Sequence, residues 1–69
     1  MYILFEIQTN GNVSAVLPAQ TFANINDAES AAHFALASAA ISSVETHAVL
    51  LVDETGNTVR LECYHHHAT

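Results

Sequence analysis

Cysteine, proline and glycine are nearly missing from this chain of 69 residues: it has one Cys (Cys63), one Pro (Pro18), two Gly (Gly11 and Gly56) and no Trp. A single cysteine excludes a disulfide within the chain. Two isolated glycines make neither a G-x-G-x-x-G nor a Walker pattern, so a nucleotide phosphate has no glycine-rich loop to sit in. Basic residues are as scarce, with Arg60 alone against seven acidic residues and a formal net charge of −6. Such an excess repels phosphate backbones and anionic headgroups, which argues against binding nucleic acid or a membrane surface. A long hydrophobic run is missing too. The opening "MYILFEIQ" has no basic flank and is interrupted by Glu6, so neither a signal peptide nor a membrane anchor is expected. The free thiol fits a reducing compartment, and the cytoplasm is the expected location.

What the chain does have is apolar content, 51% of its residues against 12% charged, where ordinary soluble domains carry about 25% charged residues. One folded domain over residues 1–69 is expected. A chain this short buries only about 60% of its unfolded surface. Lacking a disulfide, it has a metal ion or a second subunit as the remaining means of support.

The local patterns predict a ββαββ order. In "YILFEIQTNGNVSAVLP" two apolar runs flank Asn10-Gly11, a pair suited to a type I′ hairpin turn, and Pro18 closes the second run because it lacks a backbone donor. Along the first strand Ile3, Phe5 and Ile7 alternate with Tyr2, Leu4 and Glu6. A loop "AQTFANI" leads to a helix from about Asp27 to Ile41, with Asn26 and Glu29 as the expected capping box. At 100° per residue Phe34 and Ile41 share a face with Ala31 and Ser38, and this face is expected to dock on the sheet, with Glu29, His33 and Leu36 away from it. The last segment reads as a second hairpin turning at Glu54-Thr55-Gly56-Asn57. Val59, Leu61 and Cys63 point one way and Arg60, Glu62 and Tyr64 the other. The fold class is therefore α+β, a mainly antiparallel four-stranded sheet of two hairpins with one helix on one face.

One helix covers one sheet face. Tyr2, Leu4, Val16 and Tyr64 are expected to give the other face an apolar patch, and Leu36 a second contact on the helix; contiguous patches of this kind mark interfaces. A homodimer, with a further protein partner possible on the same surface, is the expected assembly.

The ending "LECYHHHAT" is the one stretch with metal-ligand residue types. Cys63, His65 and His67 would share a strand face about 7 Å apart, too wide for a chelate without help from His33 or His47. No C-x₂-C or H-E-x-x-H spacing accompanies them. The competing reading makes Cys63 the last core residue of its strand and leaves the histidines in solvent. Either His33 or His47, placed at a subunit interface, would make association depend on pH near 6.5. No catalytic residues are expected: no base or oxyanion hole is specified for Cys63, and each carboxylate has a turn, strand or helix-dipole role. No cofactor is expected, and the chain is read as a non-enzyme.

The stretch "DAESAAHFALASAAISSVETHAVLLVDETGNTVRLECYHH" resembles a family of small uncharacterised proteins from gut anaerobic bacteria and their phages. The features that carry the resemblance are the alanine-rich helix with His33, the link Ser42-Ser43-Val44, His47, the Asp53 and Gly56 turn, and the ending Tyr64-His65. That family has no established activity. The resemblance implies a bacterial or phage origin and an intracellular address, and it groups His33, His47, Tyr64 and His65 as residues to follow together. The functional expectation is a self-associating interaction module without catalysis. The alternative is a protein binding zinc or another transition metal through Cys63, His65 and His67 with His33 or His47.

Overall fold

The computed structural model describes residues 1–66. Its elements in chain order are β1 (Tyr2–Asn10), β2 (Val13–Val16), β3 (Gln20–Phe22), α1 (Ile25–Ile41), β4 (Thr46–Asp53) and β5 (Thr58–His65). The strands form one antiparallel sheet in the order β2-β1-β4-β5, with β3 also paired to β1, and α1 lies across one face. This is the expected α+β layer pair with one strand more than the sequence pattern showed.

The additional strand lies in the expected loop "AQTFANI". Val16 pairs with Ile7, and Gln20 pairs with Leu4. Leu17, Pro18 and Ala19 therefore span the two positions Phe5 and Glu6 of β1, one residue too many for a regular ladder. β2 and β3 are thus one edge strand broken by a bulge at Pro18, which has no N–H to give the ladder. The Leu17 N–H donates to the Glu6 carbonyl at 2.9 Å as the last regular contact before the break.

The second turn falls where expected, while the first is centred one residue after the expected Asn10-Gly11 pair and differs in type. The β1–β2 loop is Gly11-Asn12, and Gly11 has φ 57° while no non-glycine residue among those described has positive φ. Positive φ at the first central residue alone is the pattern of a type II′ turn rather than the expected type I′, which needs it at both. In the β4–β5 turn Gly56 has φ 89°, and the Asp53 carboxylate accepts from the N–H groups of Thr55 and Asn57.

The helix starts two residues before the expected position. Its N-cap is Asn24, whose Oδ1 accepts from the Asp27 N–H at 2.9 Å while its Nδ2 donates to Asp27 Oδ2 at 3.0 Å. This reciprocal pair replaces the expected Asn26/Glu29 box, and it leaves Glu29 free to reach Arg60.

The docking face is also corrected. Ala28, Ala32 and Ala39 are fully buried, and Ala31, Ala35 and Leu36 pack on the same core, whereas Phe34 is 74% and Ile41 90% exposed. These inward positions recur every three or four residues, one helical stripe, but a stripe of small side chains. The bulk comes from the sheet, through Leu4, Val49 and Leu51 with Tyr2, Phe22 and Val59 beside them. Where the sheet supplies the volume, alanine lets the helix backbone approach closely. Burying a Leu or Val here contributes about 1.5–3 kcal/mol.

The strand faces follow. Cross-strand partners share a face, so Leu4, Leu51 and Arg60 lie together beneath the helix, as do Gln8, His47 and Tyr64. The opposite, open face carries Ile3, Phe5, Ile7, Ala48, Leu50, Val52, Leu61 and Cys63. The expectation that Cys63 closes the core is overturned: it is exposed on the open face. A register break between Leu51 and Val52 turns Val59 toward the core, away from Leu61 and Cys63.

Candidate functional site

Two features of the described residues lie outside ordinary core packing: the open sheet face and a polar cluster at one end of the covered face. The open face is built by register alone. Ile3 sits opposite Val52, Phe5 opposite Leu50 and Leu50 opposite Leu61; in the next row Val16, Ile7, Ala48 and Cys63 follow one another across four strands. Among the described residues no Asp, Glu, Lys or Arg occupies an open-face position on a strand. Leu61 is 62% and Val16 66% exposed. Aliphatic and aromatic cross-strand neighbours hold such a face together without any layer above it.

The residues expected to form an interface are placed differently. Leu4 is 4% exposed in the core under the helix, Tyr2 and Leu36 pack against that core, and Tyr64 is half-buried on the covered face beside His66. Of the five, Val16 alone lies on the open face. The cause is a swap of faces: both sides of β1 and β4 are apolar, so alternation defines two sets without saying which one the helix covers. The signal that could have decided is electrostatic. Arg60 lies on the covered set, and the helix carries Glu29 within reach of it, at 2.6 Å from Arg60 Nε, while Arg60 Nη1 lies 3.2 Å from Glu62. The Glu29 hydrogen bond and charge, helped by Glu62, raise the Arg60 pKa further above its ordinary value.

The polar cluster joins β1, β4 and the end of β5. His47 Nδ1 lies 2.8 Å from Glu6 Oε2, and Gln8 Nε2 donates to the same oxygen at 3.0 Å. A carboxylate oxygen only accepts, so Nδ1 carries the proton in this contact. The His47 side chain is 3% exposed, and its Nε2 is buried with no hydrogen-bond partner among the described residues. The His66 ring centroid lies 6.5 Å from that of His47 and 5.1 Å from Tyr64, and His66 Nε2 donates to the Ala39 carbonyl at 2.8 Å. His47 and Tyr64, grouped in the sequence reading, are thus cross-strand neighbours. His66 is the member the sequence reading missed, hidden within an undifferentiated histidine run.

The expected metal ligands are dispersed. His33 is exposed on the helix, 3.9 Å from Glu29; His47 is under the helix; Cys63 and His65 are on the open face, where His65 Nδ1 contacts Thr46 Oγ1 at 3.2 Å. His67 lies outside the described residues. Among the described residues no group of three or more His, Cys, Asp or Glu side chains converges on one point, and no helix is long and apolar enough to cross a membrane.

Compared with protein-family models, curated proteins and solved structures, the chain matches none.

Proposed function

We propose that the chain is a small self-associating interaction module that pairs with a second copy of itself through the open sheet face and acts by binding rather than catalysis. The observation that carries this reading is the unbroken apolar face of four strands, free of charged residues in a chain whose net charge is −6. Two identical acidic chains repel each other wherever their carboxylates meet, and this face holds none. Strands about eight residues long, spaced about 4.8 Å apart, make a face roughly 25 Å by 15 Å. Two such faces packed sheet to sheet, about 10 Å apart, remove on the order of 1,000 Å² from water, near the threshold for a specific interface. A chain of 69 residues gains from this the core volume it cannot supply alone.

The same reading places the protein in the cytoplasm, with no resident cofactor and with origins among anaerobic gut bacteria or their phages. Sedimentation velocity tests it. The wild-type chain is expected to sediment as a dimer, and Leu50→Glu, which sets a charge at the centre of the face, as a folded monomer with unchanged circular dichroism. A wild-type chain that stays monomeric and folded at high concentration would refute the proposal.

A further inference from the structure

The break at Pro18 opens a cleft of about 480 Å³ between the helix and the edge of the sheet. Leu4 and Glu6 of β1 form its floor, and Leu17, Pro18 and Gln20 form the wall at the broken edge. The helix supplies the other wall through Asp27, Ser30, Ala31 and Phe34. The volume falls in the usual range for small-molecule sites, and apolar walls with a few polar groups are their usual lining.

Three observations give the cleft a chemical preference. Two carboxylates line it, Glu6 and Asp27, and no lysine or arginine does; Arg60, the chain's one basic side chain, is engaged by Glu29 and Glu62. Glu6 is held in place from behind, since His47 Nδ1 and Gln8 Nε2 both bond Oε2, and Oε1 has no hydrogen-bond partner among the described residues. Phe34, 74% exposed, presents an aromatic ring at the same cleft with no core to bury it. A ring face beside carboxylates attracts a cation that carries its own apolar body.

We infer that this cleft binds a primary ammonium group on a short apolar stem, with Glu6 Oε1 receiving the ammonium, Asp27 adding negative charge at the rim, and Leu17, Ala31 and Phe34 covering the stem. The same chemistry is presented by a free alkylamine and by a lysine side chain. His47 is a positioning residue here, orienting Glu6 through Nδ1. The cleft lies on the helix side of the sheet, so the inference stands whether or not the open face pairs with a second copy.

The test is a ¹H–¹⁵N NMR titration of the full chain with n-hexylammonium chloride, with sodium hexanoate and hexanol as matched controls. Saturable shifts are expected at the amides of Leu17, Gln20, Ser30, Ala31 and Phe34 with the ammonium alone. Glu6→Gln keeps an oxygen for His47 Nδ1 but removes the charge, and should weaken binding about 10-fold or more. Ser30→Phe, an exposed helix position that would fill the mouth, should abolish binding while leaving the fold intact, and it carries the test should Glu6→Gln fail to fold. A blocked lysine, Nα-acetyl-lysine methylamide, binding as well as hexylammonium assigns the lysine source; much weaker binding assigns the free amine. Equal shifts with hexanoate or hexanol, unchanged affinity in folded Glu6→Gln, or no saturable shift in the wild-type chain would overturn the inference.

Discussion

His47 and Glu6 face each other from neighbouring strands, 2.8 Å apart, with the outer nitrogen of the imidazole buried and without a partner among the described residues. The pair is diagonal in the β1–β4 register, where His47 is opposite Gln8 and Glu6 opposite Val49. Removing one partner strands the other. Glu6→Leu leaves both ring nitrogens of His47 buried without partners and is expected to cost about 1–3 kcal/mol of stability. The double variant Glu6→Leu/His47→Phe should recover most of that loss, because replacing both polar partners by apolar groups approaches neutrality. Urea denaturation of the four species of the cycle measures the coupling; additive losses would mean that the contact contributes nothing.

The alanine stripe sets a limit on volume. Ala32, fully buried against the sheet, has no space for a larger side chain, and Ala32→Leu is expected to destabilise by about 1–3 kcal/mol. Leu51→Ala, at the centre of the sheet's contribution, should cost about 2–5 kcal/mol. Thermal melts followed by circular dichroism check both. Phe34→Ala should leave the melting temperature close to wild type, which separates the observed docking face from the one expected from bulk alone.

Asp53 supplies an acid-sensitive support. The Thr55 hydroxyl above all holds its carboxyl below the ordinary value of 3.8; desolvation opposes it as the next largest effect, and the backbone N–H groups of Asn57 and Thr55 add to the lowering. A carboxyl lowered on folding stabilises the native state above its unfolded pKa, and the contribution is lost as pH falls from about 3.8 through the depressed folded value. Asp53→Ala should therefore lower the melting temperature at neutral pH and flatten its dependence on pH between about pH 5 and pH 2. Asp53→Asn, which keeps an acceptor oxygen, should lose less at neutral pH while flattening the same limb.

Cys63 reports on the proposed pairing. It is exposed on the open face opposite Ala48, so a second copy seated there would shield it. Reaction with an aromatic disulfide reagent is expected to slow several-fold as protein concentration rises through the dimer range. In Leu50→Glu the rate should be fast and independent of concentration. Concentration-independent labelling of the wild-type chain would argue that this part of the face stays open.

Much of the architecture was legible in the sequence because it rests on local rules. The Asn10-Gly11 region and the Glu54–Asn57 turn place both hairpins, the alanine-rich run gives the helix, and Pro18 ends a strand where its missing N–H requires. β3 was not legible, because Gln20, Thr21 and Phe22 form a strand only by pairing with Tyr2, Ile3 and Leu4, a long-range contact without a periodic signature in three residues. The choice of faces was not legible either. Side-chain size suggested Phe34 and Ile41 for the core, whereas the sheet already filled that volume with Leu4, Val49 and Leu51 and needed small partners above it. For the candidate sites, the resemblance grouped His47 and Tyr64 with His33 and His65, and nothing pointed to Glu6, whose place on a strand suggested solvent rather than a buried imidazole.

The alanine face has one more consequence. Leu36 is the one long side chain that this face packs on the sheet, so polar contacts in its two halves add to the seating of the helix: Glu29 with Arg60 in the N-terminal half, and the Ala39 carbonyl with His66 in the C-terminal half. The molecule is thus a plate, its strands joined by ladder hydrogen bonds, carrying a cylinder seated flush on it and tied by a polar contact in each half. Its closeness to the plate leaves the gap beside Pro18 as the place where helix and sheet edge part, and there the chain carries Glu6 and Phe34.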